Sequence, residues 1–204
     1  MIRSCAACRT PISTPVERTG SMQAMRLFVL ILAAIVTGHA ARAQSDIAGD
    51  VGFFDRLQAG ILCVDGTSRH EPAPSTRLGY VNLVDGQIVL GLATQRVPAI
   101  AGLAFGVVAN VADTGGQAGV SIVVTHPPMG SDGSTRDVWQ NDFVAGEQSS
   151  SFFRFEYPEE LVTGDWSIQA EAGGRVFYTA RFRVVDPGAM PGFVNPCLEP
   201  PPIS

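Results

Sequence analysis

The sequence contains no lysine, and all 14 of its basic residues are arginine. Catalysis through a lysine amine, as a Schiff base or as a general base, is therefore excluded. The 19 acidic residues outnumber the arginines and give the chain a formal net charge of −5. Because an acidic chain repels a phosphate backbone, nucleic acid is not predicted as a partner.

Histidine is scarce as well, and only His70 and His126 lie beyond residue 43. A zinc site needs three or four ligands, and a Ser-His-Asp triad would have to use one of these two residues. The sequence also lacks a Gly-x-Ser-x-Gly nucleophile elbow. We interpret both histidines as ordinary surface residues and predict no catalytic residue, metal or cofactor. A small hydrolase or metal-binding protein that uses the loops near them remains the alternative hypothesis.

The sequence has one long apolar run, Leu27–Val36. It follows Arg26 and precedes Ala41-Arg42-Ala43. Ten residues are too few for a transmembrane helix, which needs about 20. A basic residue, a short apolar run and a small-x-small site together indicate a cleavable signal peptide over 22–43. We expect a mature chain that starts near Gln44, lies in the periplasm or is secreted, and has no membrane anchor after cleavage.

The segment 1–21 precedes this leader and contains a Cys-x-x-Cys, Cys5 to Cys8. Such a pair can be a redox or zinc motif, but here it has no second pair and no βαβ context. We interpret 1–21 as an unstructured segment that arises from a mis-assigned start, with translation beginning at Met22 or Met25. Five of the 14 arginines and one of the 19 acids precede Gln44, so the mature chain has a formal net charge of about −9.

Alternation of apolar and polar residues dominates the mature chain. In Thr163–Val185, Trp166, Ile168 and Ala170 share one face, and a Gly173-Gly174 pair separates them from a second alternating run that starts with Val176. Two such runs around a double glycine predict a β-hairpin with one buried face. We therefore expect Trp166 to lie in the core and the arginines of the second run to face solvent.

Further alternating runs have the length of a strand. Together they predict an all-β fold, an antiparallel sandwich of about seven to eight strands over 58–186. A closed barrel is the alternative architecture. The segment 44–57 is predicted to be a loose N-terminal segment with a helical turn around Phe53, Thr67–Pro74 a loop, and 187–204 a proline-rich tail.

Acidic residues occur in two notable places. Glu159-Glu160 follows Pro158 in a predicted turn, where we expect both carboxylates to face solvent. Asp132-Gly133-Ser134 is similar to part of a calcium loop, but the late glutamate of an EF-hand is absent. No metal site is therefore predicted at these acids, and calcium binding by the Asp132 loop is the alternative.

The hairpin motif Gly164-Asp165-Trp166, Gly173-Gly174 and Phe182–Val185 resembles a bacterial immunoglobulin-like module. More closely, the chain resembles a family of exported bacterial domains known only as a domain of unknown function. The stretches Arg96–Val111, Val124–Met129 and Phe155–Trp166 carry this likeness, which covers about 59–185. The resemblance implies an immunoglobulin-like sandwich and export, and it brings no catalytic residues.

Cys63 and Cys197 are the only cysteines of the mature chain. Thiols tend to pair in an oxidising compartment. If the first strand lies at a sheet edge, the tail can reach it, so we predict a Cys63–Cys197 disulfide. Two free thiols, or an intermolecular bridge through Cys197, are the alternatives.

The function that this pattern favours is a noncatalytic exported module that binds an unknown protein or cell-envelope partner. An exposed apolar patch or an open sheet edge would support this hypothesis. A cluster of His70, His126 and acids would instead support the hydrolase or metal-binding alternative.

Overall fold

Strands make up almost all of the regular structure. The computed structural model describes residues 47–66 and 68–198, and its strands are β1 Ile47–Gly49, β2 Phe54–Val64, β3 Ser68–Pro72, β4 Tyr80–Val84, β5 Ile88–Leu92, β6 Arg96–Pro98, β7 Ala104–Val111, β8 Gln117–Met129, β9 Ser134–Phe143, β10 Gln148–Arg154, β11 Gly164–Ala172 and β12 Arg175–Val185. The helical elements of these residues are two single 3-10 turns, Pro158–Glu160 and Pro187–Ala189. Neither is long or apolar enough to cross a membrane. The predicted segments 1–21 and 22–43 lie outside the described residues.

Two sheets form an antiparallel β-sandwich, which confirms the predicted fold class. The first sheet has the order β9-β8-β11-β12, and β1 and β6 share the far edge of β12. The second sheet has the order β10-β7-β2-β5, and β3 and β4 form a separate hairpin. All pairs are antiparallel except β6 with β12. The short strands β1 and β6 and the hairpin account for the strands beyond the predicted eight.

The core lies between the two sheets and is rich in aromatic rings. Trp166 is 2% exposed, as predicted, and its ring packs edge-to-face against Phe105 and Phe155, with centroids 5.5 and 5.9 Å apart. Its indole Nε1 donates to the carbonyl oxygen of Val162 at 3.2 Å, so the buried N–H has a partner. Burial of each large apolar side chain in this core contributes about 1.5–3 kcal/mol.

The hairpin β11–β12 turns where the double glycine predicts. Gly173 and Gly174 have φ values of 56° and 81°, which the two-residue turn requires. The predicted alternation fails at one position, because the register shifts between Ala170 and Glu171. This bulge places Phe177 in the core, at 1% exposure, and leaves Val176 47% exposed.

Two predictions before β5 are wrong. The described part of 44–57 has no helical turn: it contains β1 and the start of β2, and Phe53, which lies between these strands in sequence, is buried. The predicted loop Thr67–Pro74 instead contains β3, which pairs with β4. Strand β1 has only three residues and β3 is short and polar, so neither sequence shows the apolar alternation that indicates a strand.

Candidate binding groove

A groove of about 420 Å³ lies between the β3–β4 hairpin and the outer strands of the two sheets. Strand β4 forms one wall, and β9 and β10 form the other. All five residues of β4, Tyr80–Val84, line the groove. Because side chains alternate between the faces of a strand, consecutive lining residues mean that β4 meets the groove with its edge. The volume lies within the range of about 300–1,000 Å³ that is typical of ligand sites.

Strand β10 presents an unpaired edge to this groove. Its odd-numbered residues exchange backbone hydrogen bonds with β7, since Phe155 N donates to Leu103 O and Val111 N donates to Glu147 O in the same register. In an antiparallel pair the alternate residues point their N–H and C=O groups the other way. Ser150, Phe152 and Arg154 therefore direct these groups away from β7, and among the described residues β10 pairs with no other strand.

Strands β4 and β9 offer shorter open edges. Ala73 N donates to Gly79 O, and this register directs the backbone groups of Asn82 and Val84 away from β3. In β9 the outward N–H of Val138 donates to Ser75 O, which leaves Gln140 as the open position on the groove side. The longest free edge in the groove is therefore that of β10.

A glycine lets β10 lie close to β7. A Cβ on Gly106 would lie 2.2 Å from the carbonyl oxygen of Ser151 and 2.6 Å from the Cα of Phe152. Both are backbone atoms, so no side-chain rotation could relieve the contact. Glycine at 106 is thus required for the position of the strand that forms the groove wall.

Exposed side chains bridge the groove at both ends. At one end Asn82 Nδ2 donates to Glu156 Oε1 at 2.8 Å, and the hydroxyls of Tyr80 and Tyr157 lie 3.2 Å apart. At the other end Gln148 Nε2 donates to Ile88 O at 3.0 Å. The first two bonds link β4 to the segment that follows β10, and the third links β10 to the start of β5. The open edge of β10 lies between these two ends.

A buried polar network anchors the turn of the β3–β4 hairpin to the sandwich. The backbone N–H of Arg77 donates to Asp137 Oδ1 at 2.5 Å, and Arg77 Nη2 donates to Glu160 Oε1, also at 2.5 Å. The second oxygen of Glu160 accepts the backbone N–H groups of Glu156 and Tyr157 at 2.7 and 3.0 Å. The hairpin wall is therefore fixed by charge-assisted hydrogen bonds that are largely shielded from water.

His126 extends this network into the core. Its Nε2 lies 3.2 Å from Asp137 Oδ2 and its Nδ1 lies 2.9 Å from Pro127 O, so both nitrogens face acceptors and both can donate only when each carries a proton. Burial opposes ionisation of Asp137, but hydrogen bonds from His126 and from the backbone N–H of Arg77 outweigh it. Together they hold the pKa of this carboxyl below its ordinary value.

Residues 51–184 match the model of a family described as a domain of unknown function, DUF3859. The chain belongs to this family. The match confirms the resemblance and includes every strand edge of the groove. The chain is also similar to the crystal structure of an immunoglobulin-like protein from Pseudomonas aeruginosa, with 21% identity over 70% of this chain and 99% of that chain and a TM-score of 0.44. No curated protein matches the chain.

The DUF3859 domain holds its two histidines in different settings. His70 is exposed on β3 and stacks on Tyr80, with ring centroids 4.1 Å apart. The prediction of a surface histidine is wrong for His126, whose side chain is fully buried against Trp166. Its partners, Asp137 and Pro127 O, explain how a polar ring is accommodated there. No group of three or more His, Cys, Asp and Glu that could hold a metal occurs within 47–66 and 68–198.

The acidic residues of the DUF3859 domain also differ in their exposure to solvent. Glu159 is exposed, but the predicted exposure of Glu160 is wrong, since its side chain is 3% exposed and pairs with Arg77. Asp142 and Glu147 are exposed at the groove end nearest the β9–β10 turn. Within the described residues neither of these two forms an ion pair.

The structure joins Cys63 and Cys197 in a disulfide, with Cα atoms 5.1 Å apart. The assumption that the first long strand lies at an edge is wrong, because β2 pairs with both β7 and β5. Cys63 lies just beyond Leu62, the last residue of β2 that pairs with β7, and the tail reaches it by packing Pro196 near Gly91 of β5. Cys197 lies outside the 51–184 family match, so the disulfide ties the tail to the DUF3859 domain.

Proposed function

We propose that this chain is an exported, noncatalytic binding module of the bacterial cell envelope and that the groove between β4 and β10 is its binding site. The observation that carries this proposal is the open edge of β10, which is unusual because sandwich proteins commonly cover or shorten such edges. Export is supported by the leader over 22–43, with its apolar run and small-x-small site.

The hydrolase or metal-binding alternative gains no support from the histidines. A general base must reach the proton it removes, and His126 has no exposed side-chain surface. Its two ring nitrogens are also both engaged. His70 is exposed but stacks on Tyr80 instead of meeting a cluster of acids.

Site-specific photo-crosslinking in living cells tests the binding role. A benzoylphenylalanine replaces Val84, the last residue of β4, or Glu147, next to the β9–β10 turn; both residues line the groove. The matched control is Thr125, an exposed residue of β8 outside the groove lining. We expect the same crosslinked species from both groove positions and none from Thr125. Absence of any crosslink at the groove positions, or equal crosslinking at Thr125, would contradict the proposal.

N-terminal sequencing tests export separately. The chain recovered from the periplasmic or culture fraction should begin at Gln44 or within a few residues of it. An intact full-length chain recovered in the membrane fraction would contradict export.

A further inference from the structure

An unpaired strand edge is complementary to one kind of ligand, another extended backbone. Each outward N–H and C=O of β10 needs a hydrogen-bond partner, and a strand supplies both groups at the same spacing. Peptides that bind this way gain affinity from the backbone and selectivity from the pockets for alternate side chains.

We infer that the groove binds an extended polypeptide segment that adds to the edge of β10. The inference rests on the proposed function and names its ligand. Strand β10 covers seven residues, Gln148–Arg154, and at about 3.3 Å per residue its edge extends about 20 Å. The bound segment is therefore about five to seven residues long.

The groove lining defines the side chains of this segment. Trp139, Phe152 and Ile88 line the groove and are half-buried, so they offer apolar surface to alternate residues of the ligand. Asp142 and Glu147 are exposed at the β9–β10 turn, and neither has an ion-pair partner within residues 47–66 and 68–198. The ligand that complements these features alternates apolar residues and carries an arginine or lysine at the end nearest the turn.

The bridges across the groove are compatible with entry of a peptide. The bonds Asn82–Glu156, Tyr80–Tyr157 and Gln148–Ile88 all lie at exposed positions. An incoming backbone can replace these bonds with its own. The buried anchors of Arg77 keep the hairpin wall in position while the bridges exchange.

The test selects ligands from a random heptapeptide display library on the purified chain and measures the affinity of a synthetic selected peptide. Methylation of single backbone nitrogens of that peptide is the decisive step. In strand addition only alternate N–H groups bond to β10. We expect alternate N-methyl peptides to lose at least about tenfold in affinity and the intervening ones to lose less than about threefold.

A matched pair of proline variants locates the edge. Ser150→Pro removes an outward N–H of β10 without removing a bond to β7. Arg136→Pro removes an outward N–H of β9 without removing a bond to β8, and Arg136 lies outside the groove lining. Ser150→Pro should weaken peptide binding at least about tenfold, and Arg136→Pro should leave it within about twofold. Thermal unfolding of both variants verifies that each remains folded.

Three results would overturn the inference. One is equal sensitivity of all N-methyl positions, or of none. A second is equal binding by folded Ser150→Pro and Arg136→Pro variants. The third is a library that yields no groove-dependent peptide while crosslinks at Val84 persist. That third result rejects a peptide ligand but leaves the binding function of the groove intact, whereas loss of the crosslinks rejects the function itself.

Discussion

The ion pair between Arg77 and Glu160 should decide whether the hairpin wall stays in place. The two side chains are 12% and 3% exposed, and Arg77 Nη2 donates to Glu160 Oε1 at 2.5 Å. Removal of one partner of a buried pair costs about 3–5 kcal/mol, because the other charge stays buried and unpaired. Glu160 keeps two backbone N–H donors, from Glu156 and Tyr157. We therefore expect Arg77→Met to lower the free energy of unfolding by about 3 kcal/mol, at the lower end of this range.

Another ion pair of the same hairpin provides the control. Arg69 and Asp85 lie 3.3 Å apart but are 67% and 60% exposed, so Arg69→Met should cost no more than about 1 kcal/mol. Urea unfolding, followed by tryptophan fluorescence, measures both variants. The double variant Arg77→Met with Glu160→Gln should cost less than the sum of its single changes, because it leaves no unpaired carboxylate. Equal costs for Arg77→Met and Arg69→Met would refute the reasoning.

Three other predictions concern the core, the disulfide and pH. Trp166→Ala should cost about 3–5 kcal/mol and Arg183→Ala well under 1 kcal/mol, and similar denaturation midpoints would mean that the faces are wrongly assigned. Nonreducing mass spectrometry should show one peptide pair that joins Cys63 to Cys197, whose 134-residue separation gives an upper stabilisation of about 5 kcal/mol; two free thiols would rule this pair out. The folded-state pKa of Asp137 lies below its unfolded value, so its contribution is present above about pH 4 and disappears as the pH falls through the folded pKa. The stability advantage of the native chain over Asp137→Asn should therefore shrink as the pH falls below about 4, and a constant difference would contradict this assignment.

Alternation predicts the central strands well, because one face of each is buried and the other meets water. Val120, Ile122 and Val124 of β8 are buried as the pattern requires. The double glycine likewise fixes the β11–β12 turn, since a local backbone requirement is visible in the sequence. The bulge after Ala170 has no such marker, which is why the pattern assigns Val176 to the core in place of Phe177.

The groove could not be predicted in the same way, because its parts are distant in sequence. Arg77 and Glu160 are 83 residues apart, and their pairing exists only in the folded chain. His126 and Asp137 are closer but lie on separate strands, β8 and β9. The hairpin strand β3 is short and polar, and contacts with the sandwich, not its own pattern, determine its place. One usable signal was present: Tyr80–Val84 has the composition of a strand.

Amide hydrogen exchange along β10, followed by NMR, tests the central claim most directly. In the free chain the outward N–H groups of Ser150, Phe152 and Arg154 should exchange quickly, while those of Ser149, Ser151 and Phe153, which bond to β7, should exchange slowly. A library-selected peptide should slow the outward set and leave the inward set unchanged. Slow exchange of the outward set without any ligand, or no change when the peptide is bound, would contradict a groove built on an open strand edge.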